Sequence, residues 1–299
     1  MKVIEVGNRR LTEDEARSLL SDLLIKLDPE TDQAVALQAV GETVDEAKQS
    51  TPKPGEIVGL STGYRSVDRL TQGLAKGEVS VWYGGTSVGK SQVTQNIALN
   101  IASTGTAVLM LPLEMGFYLN TARMLKMQGD EEKFRQLPIY YPKSRRFNIK
   151  ALANTVASAV TEYGVRAVVI DQLQQLVPRA GVNLVESISA TTDELHKIAD
   201  ETQVHILLIS HINRTGDRSN APSLEELKGS GSIEQDADLC VALWRDTEQD
   251  EDDYRAPLKL VLRKNRNRGG LIGSSAELVF HDNMRLTERL QTQTSSLGL

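Results

Sequence analysis

Apolar and polar positions divide the chain into an extension, a linker and a main domain. In "LTEDEARSLLSDLLIKL" (residues 11–27), Ala16, Leu19, Leu20, Leu23, Leu24 and Leu27 recur at helical spacing behind a capping box from Thr12 to Glu15. That pattern predicts an amphipathic helix. A second helical stretch over about residues 31–48 follows Pro29, and the prolines of "QSTPKPGE" favour extended chain. Residues 1–50 are therefore expected to form a helical extension whose apolar stripe packs on its own domain or on another subunit. Residues 51–59 read as the linker, residues 60–288 as the main domain, and 289–299 as a frayed tail.

Within the main domain, strand and helix patterns alternate. "EVSVWYGG", "TAVLMLPLE", "LPIYYP", "VRAVVID" and "VHILLISH" are apolar runs of strand length. Between them, "KSQVTQNIALNIA", "MGFYLNTARMLKMQ", "IKALANTVASAVTEYG" and residues 184–202 carry helical spacing. Apolar strands alternating with helices predict an α/β fold with a mainly parallel central sheet covered on both faces. After about residue 238 the helices stop. "LCVALWRD", "LKLVLRK" and "SAELVFHD" then follow through short connections, as antiparallel strands extending one sheet edge. No internal repeat is visible.

Composition narrows the class. The 299 residues carry 40% hydrophobic and 25% charged positions and a net charge of −6, ordinary for a globular protein. No window approaches a membrane span, and "MKVIEVGNRRLTEDEA" lacks the features of a secretory signal, which predicts a cytoplasmic location. The lone cysteine, Cys240, excludes an internal disulfide framework and a Cys-rich zinc site.

"GGTSVGKS" carries the sharpest chemistry. Gly84, Gly89, Lys90 and Ser91 fit the phosphate-loop pattern between a strand and a helix. Glycines let backbone N–H groups face an anion, and the helix N-terminus adds its dipole. Gly84, Gly85, Thr86, Ser87, Val88, Gly89, Lys90, Ser91 and Gln92 are accordingly the expected nucleotide contacts, with Lys90 at the β/γ-phosphates and Ser91 on Mg²⁺. Asp171, closing the apolar strand "RAVVID", is the expected second anchor for the metal. Glu114, ending "MLPLE", is the candidate for activating water, against the plainer reading of a favourable charge at a helix start. His211, ending "ILLISH", can bond the γ-phosphate or be an ordinary edge histidine.

One feature fits poorly with an acidic chain. "VLRKNRNRGG" gathers Arg263, Lys264, Arg266 and Arg268 at the end of an apolar run. Such a knot is either a solvated strand end or a set of donors aimed at an anion.

Together these segments resemble the RecA-like ATPase domain of DnaB-type replicative helicases and their phage relatives. The likeness runs over about residues 60–286. It rests on "STGYRSVDRLTQGLAKGEV", the phosphate loop, "LPLEM", "AVVIDQLQQL", "LISHINR", "PSLEELKGSGSIEQDADLCVALWRD" and "RKNRNRGG". The resemblance implies hexameric rings with ATP between neighbours, single-stranded DNA in the channel and 5′-to-3′ movement. It implies that Lys264 and Arg266 enter the adjacent subunit's site, and that Arg245 and Phe280 sandwich the base, although Phe280 also alternates with Leu278 as a core position would. For DNA it points to the loop holding Arg214, Arg218, Lys228, Gly229 and Gly231, with an acidic residue more usual at position 229. Only about fifty residues precede the ATPase region, so the chain resembles a motor without the primase-binding domain. A loader or other replication protein is the implied partner. His211 stands where bacterial members carry glutamine and phage-type relatives histidine.

Three functions therefore stay open: an ATP-driven DNA helicase, a DNA-stimulated remodelling ATPase that does not unwind processively, and a nucleotide-switched scaffold that does not act on DNA.

Overall fold

A computed structural model describes residues 3–6, 9–12, 39–44, 56–144, 148–177, 184–212, 220–227, 233, 236–245, 256–268 and 271–289. It divides into two units, Met1–Thr51 and Pro52–Leu299.

In the first unit, β1 (Val3–Val6) and β2 (Arg9–Thr12) pair antiparallel, with Val6 opposite Arg9 and Val3 opposite Thr12. This corrects the expectation of a wholly helical extension: Thr12 ends a strand. The two-residue Gly7–Asn8 connection is a hairpin signal, and it lies too close to the helical pattern to stand out from it. The predicted helix over 13–27 lies outside the described residues. Of the second helical stretch, residues 39–44 include a 3₁₀ turn, Val40–Thr43.

In the second unit, the described strands are β3 (Val79–Gly84), β4 (Ala107–Pro112), β5 (Ile139–Tyr140), β6 (Val165–Asp171), β7 (His205–His211), β8 (Leu239–Arg245), β9 (Leu258–Asn265), β10 (Ser275–Phe280) and β11 (Leu286–Glu288). They form one sheet in the order β11-β10-β9-β8-β3-β7-β6-β4-β5. From β8 to β5 every pairing is parallel. The pairings among β8, β9, β10 and β11 are antiparallel. The antiparallel edge is thus present, but its first strand, β8, also runs parallel to β3.

Helices α1 (Arg65–Thr71), α2 (Lys90–Ser103), α3 (Phe117–Gln128), α4 (Glu131–Arg135), α5 (Ile149–Tyr163) and α6 (Leu184–Thr202) accompany the sheet. Strand residues alternate between two cores, as their pleat requires. Val81, Leu109, Leu111, Val168 and Ile170 join Leu152 and Val156 of α5 and Ile188 and Leu195 of α6. Trp82, Val108, Met110, Val169 and Leu207 join Val67 of α1, Ile97 of α2 and Met124 of α3. Both faces are covered, which explains why the parallel strands read as near-continuous apolar runs. The buried His205 ring, at the start of β7, lies 2.8 Å from both the Ala75 carbonyl and the Ser80 hydroxyl. Burial pushes this histidine down to about 4, so it is neutral at physiological pH.

The sheet has two functionally distinct ends. The C-terminal ends of the parallel strands place Gly84 opposite His211 and Pro112 opposite Asp171. The other end holds Val79, Asp238 and the turn after β9, since Leu239 faces both Ser80 and Asn265.

Candidate functional site

The loop from Gly84 to Ser91 leaves β3 at the C-terminal end of the sheet, where open α/β folds bind ligands. Two of its glycines, Gly84 and Gly89, are required by packing. A Cβ on Gly84 would lie 2.5 Å from the Leu243 carbonyl oxygen, and one on Gly89 would lie 2.9 Å from Phe280 Cζ. Gly89 also has φ +107°, a left-handed conformation that opens α2. Thr86 and Ser87 are exposed on the rim, while Gly85, Val88, Ser91 and Gln92 are half-buried.

Lys90 is buried, and its Nζ donates to the Gly84 carbonyl at 3.0 Å and the Gly85 carbonyl at 2.7 Å. Burial pushes its ammonium down to about 8, opposed by the carboxylates of Asp171 and Glu114. The lysine therefore caps the loop's own carbonyls with a charge that a phosphate would hold more strongly.

Asp171 is 4% exposed at the end of β6. Burial pushes its carboxyl up; a hydrogen bond with Ser91 holds it down, Glu114 raises it, and Lys90 and Arg123 lower it. Its Oδ1 is buried without a hydrogen-bond partner. A serine hydroxyl beside a carboxylate with one unsatisfied oxygen offers the oxygen ligands a hard divalent cation takes. Ser91 and Asp171 thus fit Mg²⁺. Among the described residues no cluster of three or more His, Cys, Asp or Glu forms a cage of its own, as expected where phosphate and water complete the shell.

Glu114 follows β4, and its N–H donates to the Asp171 carbonyl at 3.1 Å, beside that of Leu113 at 2.6 Å. Its side chain is exposed, free to reach a bound nucleotide. His211 closes β7 level with Gly84. Arg123 on α3, which sequence reasoning passed over, lies within electrostatic reach of Asp171. Its only signal was its place on the helix that follows Glu114.

Arg245 lies 4.3 Å over the Phe280 ring, and both close on Gly89. The two side chains stack on each other over the phosphate loop, with Phe280 buried in the adjoining core. No base-sized gap separates them.

The basic knot resolves into distinct roles. Arg268 and Glu78 form a buried ion pair, with Arg268 Nη1 donating to Glu78 Oε1 at 2.8 Å and Nη2 to Oε2. Arg263 donates to the carbonyls of Ala221 (2.6 Å) and Pro222 (2.9 Å). Arg266 stands at the sheet end opposite the phosphate loop: its N–H donates to the carbonyl of Asp238, a residue whose N–H donates to the Val79 carbonyl. From Val79 to Gly84 is five strand steps, or about 17 Å at the usual rise. Lys264, level with Cys240 and Val81, is three steps, or about 10 Å, along the sheet from Gly84. Within one chain Arg266 is therefore held away from the phosphate site. Arg214, Arg218, Lys228, Gly229 and Gly231 lie outside the described residues.

A phosphate loop after β3, a buried aspartate ending β6 two strands away and an exposed glutamate just past the adjoining β4 form a P-loop nucleotide-site arrangement on a RecA-like sheet. Residues 59–132 and 117–288 match the family described as the DnaB-like helicase C-terminal domain, and the chain belongs to that family. A probable replicative DNA helicase from Trieres chinensis is 31% identical over 261 residues, covering 77% of this chain and 57% of that protein. Replicative DNA helicase DnaC of Bacillus subtilis (strain 168) is 29% identical over 254 residues, covering 76% and 56%. The chain spans somewhat over half the length of these relatives. Among solved structures, one isolated ATPase domain superposes with a TM-score of 0.74 at 23% identity, covering 85% of this chain and all of that one. A DnaB-like replicative helicase, solved in a study of its interactions with primase, gives 0.73 at 21% identity, covering 91% and 71%. Among the described residues, no helix is long and apolar enough to cross a membrane.

Proposed function

We propose that the chain is an ATP-driven helicase motor on single-stranded DNA, working as a ring of copies with each ATP held between neighbours. The observation that carries this reading is the placement of Arg266, with Lys264 two residues before it, towards the end of the sheet away from Lys90 and Asp171, where a neighbouring copy rather than this chain's own phosphate loop would be met.

In this reading Lys90 exchanges the Gly84 and Gly85 carbonyls for the β/γ-phosphates, and Gly85, Thr86, Ser87 and Val88 wrap the same phosphates. Ser91 and Asp171 hold Mg²⁺, which when bound supplies positive charge to the phosphate oxygens. Glu114 orients and deprotonates the attacking water. His211, level with Gly84, accepts or donates a bond at the γ-phosphate and senses its loss. Lys264 and Arg266 of the adjacent copy stabilise charge in the transition state, as arginine fingers do. The adenine is placed against the Arg245–Phe280 stack. Arg214, Lys228, Gly229 and Gly231 follow the DNA backbone, a contact that carries no sequence information, as a translocating motor requires.

The assembled set of Lys90, Asp171 and Glu114 favours hydrolysis over a scaffold role. The test is strand separation of a forked DNA duplex with ATP and Mg²⁺, with Lys90→Ala as the inactive control. Unwinding that depends on a single-stranded 5′ tail supports the motor. Hydrolysis stimulated by DNA without unwinding favours the remodelling ATPase, and the absence of salt-sensitive binding to single strands favours the scaffold.

A further inference from the structure

Of the three carboxylates in "SGSIEQDAD", none of which the hydrolysis scheme uses, Glu234 lies outside the described residues, and Asp236 and Asp238 are described. Asp238 sits just before β8 and is 8% exposed. Every polar atom of it is committed. Its N–H donates to the Val79 carbonyl at 3.0 Å, and its Oδ2 accepts the Val79 N–H at 3.0 Å. That oxygen also lies 3.5 Å from His196 Nδ1 on α6. Its carbonyl accepts the Arg266 N–H at 2.8 Å. Its Oδ1 faces Arg266 Nη1 at 3.9 Å and Asn267 Nδ2 at 3.4 Å. One aspartate thus holds the Arg266 backbone by a hydrogen bond, faces its guanidinium with a carboxylate oxygen, and is itself fastened to the first residue of the strand that ends in the phosphate loop.

This arrangement is poorly explained as a stability device. The Arg266 side chain is 47% exposed, and a pair at 3.9 Å with one partner so solvated contributes little to folding. Its use lies in placement: the 2.8 Å backbone bond fixes where the arginine leaves the turn, and the facing carboxylate biases its direction. A long exposed arginine samples many rotamers, and narrowing that set in advance lowers the cost of ordering it when the target anion arrives. Asp236 strengthens the field: it lies within electrostatic reach of Lys264, Arg266 and His196 as well as Asp193. The same Asn267 Nδ2 donates to Glu78 Oε1 at 2.8 Å, which ties the turn that carries Arg266 to Glu78 as well as to Asp238.

We propose that Asp238 is the positioning residue for Arg266, presenting its guanidinium at the end of the sheet away from the phosphate loop so that it completes the nucleotide site of the neighbouring copy. The inference rests on the reading that Arg266 acts in trans. Asp238 touches no nucleotide; it acts through Arg266, and its loss impairs the neighbour's site while leaving its own intact.

The test is complementation between inactive chains in co-assembled full-length protein, read as ATP hydrolysis. Asp238→Asn keeps the side-chain shape and an acceptor for the Val79 N–H, but removes the charge that faces Arg266. Alone, it is expected to lower kcat about 10- to 100-fold with KM for ATP changed less than about threefold, a loss confined to the transition state. Mixed with Lys90→Ala, it regains activity, because some interfaces then combine an intact Lys90 with an intact Asp238–Arg266 unit. Mixed with Arg266→Ala, it regains none, because both chains lack the same function.

The control pair, Lys90→Ala with Arg266→Ala, separates the two claims. If that pair stays inactive when demonstrably co-assembled, the trans reading fails, and this inference falls with it. If that pair recovers but Asp238→Asn with Lys90→Ala does not, or if Asp238→Asn complements Arg266→Ala, the positioning role alone is overturned. Asp238→Ser, which also keeps an acceptor for Val79, serves should the asparagine variant melt. Failure of both to fold overturns the inference by making Asp238 a structural residue.

Discussion

The main-chain carbonyl of Asp171 accepts the Glu114 N–H at 3.1 Å, so the buried aspartate and the exposed glutamate are fixed to each other through backbone rather than through their side chains. Pro112 and Asp171 face each other across the β4–β6 pair, and the contact extends that pairing past the strand end. A parallel sheet thereby sets the spacing between the aspartate that fits a cation and the base that would activate water. The Glu114 carboxylate can then be changed without moving the Asp171 backbone, although its charge no longer raises the Asp171 carboxyl.

Replacing Glu114 by Gln should therefore remove chemistry and little else. Hydrolysis is expected to fall by about 10²- to 10⁴-fold, the usual contribution of a positioned general base. Nucleotide affinity and melting temperature should stay close to those of the parent. Steady-state kinetics with a fluorescent-nucleotide titration checks this, and hydrolysis within a few-fold of the parent would remove Glu114 from the mechanism.

Lys90 makes nucleotide binding proton-linked. Its ammonium titrates near 8 because burial outweighs the attraction of Asp171 and Glu114. At about pH 9 the amine is then mostly neutral, and arriving phosphates raise its affinity for a proton. ATP binding is expected to take up a proton at about pH 9 and almost none at about pH 7, where Lys90 is already charged. Calorimetry in two buffers of different ionisation enthalpy reads the difference, and Lys90→Met should abolish it.

Arg268 and Arg266 are two residues apart and should behave oppositely. The Arg268–Glu78 pair is buried, with side chains 6% and 10% exposed, so removing one partner strands a charge. Glu78→Ala is expected to cost about 3–5 kcal/mol, whereas Glu78→Leu combined with Arg268→Met should recover most of that loss. Arg266→Ala should cost under about 1 kcal/mol while abolishing hydrolysis. Denaturant unfolding beside an ATPase assay separates the two residues.

Gly89 is the point where loop, stack and helix meet. An alanine there brings its Cβ to 2.9 Å from Phe280 Cζ at a φ of +107°. The strain should cost about 1–3 kcal/mol and weaken nucleotide binding. Adding Phe280→Ala relieves the contact but not the backbone strain, so the double variant should recover only part of the affinity.

Much of this was legible in the chain. Strands such as "VRAVVID" stand out because both faces are buried, and a residue that ends such a run, like Asp171 or His211, falls at the ligand-binding edge without further information. The phosphate loop was legible for the same reason. The direction of β8 was not: the connection from His211 to Leu239 carries no helical period, so a parallel return could not be told from a hairpin. The fate of the basic knot was equally hidden. Arg268 finds Glu78 across 190 positions of sequence, and nothing local distinguishes it from Arg266. Asp238 was visible only as part of a pattern, since its role depends on Val79 and Arg266 meeting at one end of the sheet.

The most direct test of a ring motor with shared sites is the rate of ATP hydrolysis per chain, measured over a wide range of protein concentration with and without single-stranded DNA. Sites completed by a neighbour predict specific activity that rises as chains assemble, and a DNA-driven motor predicts a further rise when DNA is added. A rate per chain that is flat in concentration and indifferent to DNA would contradict the account and leave Arg266 without its role.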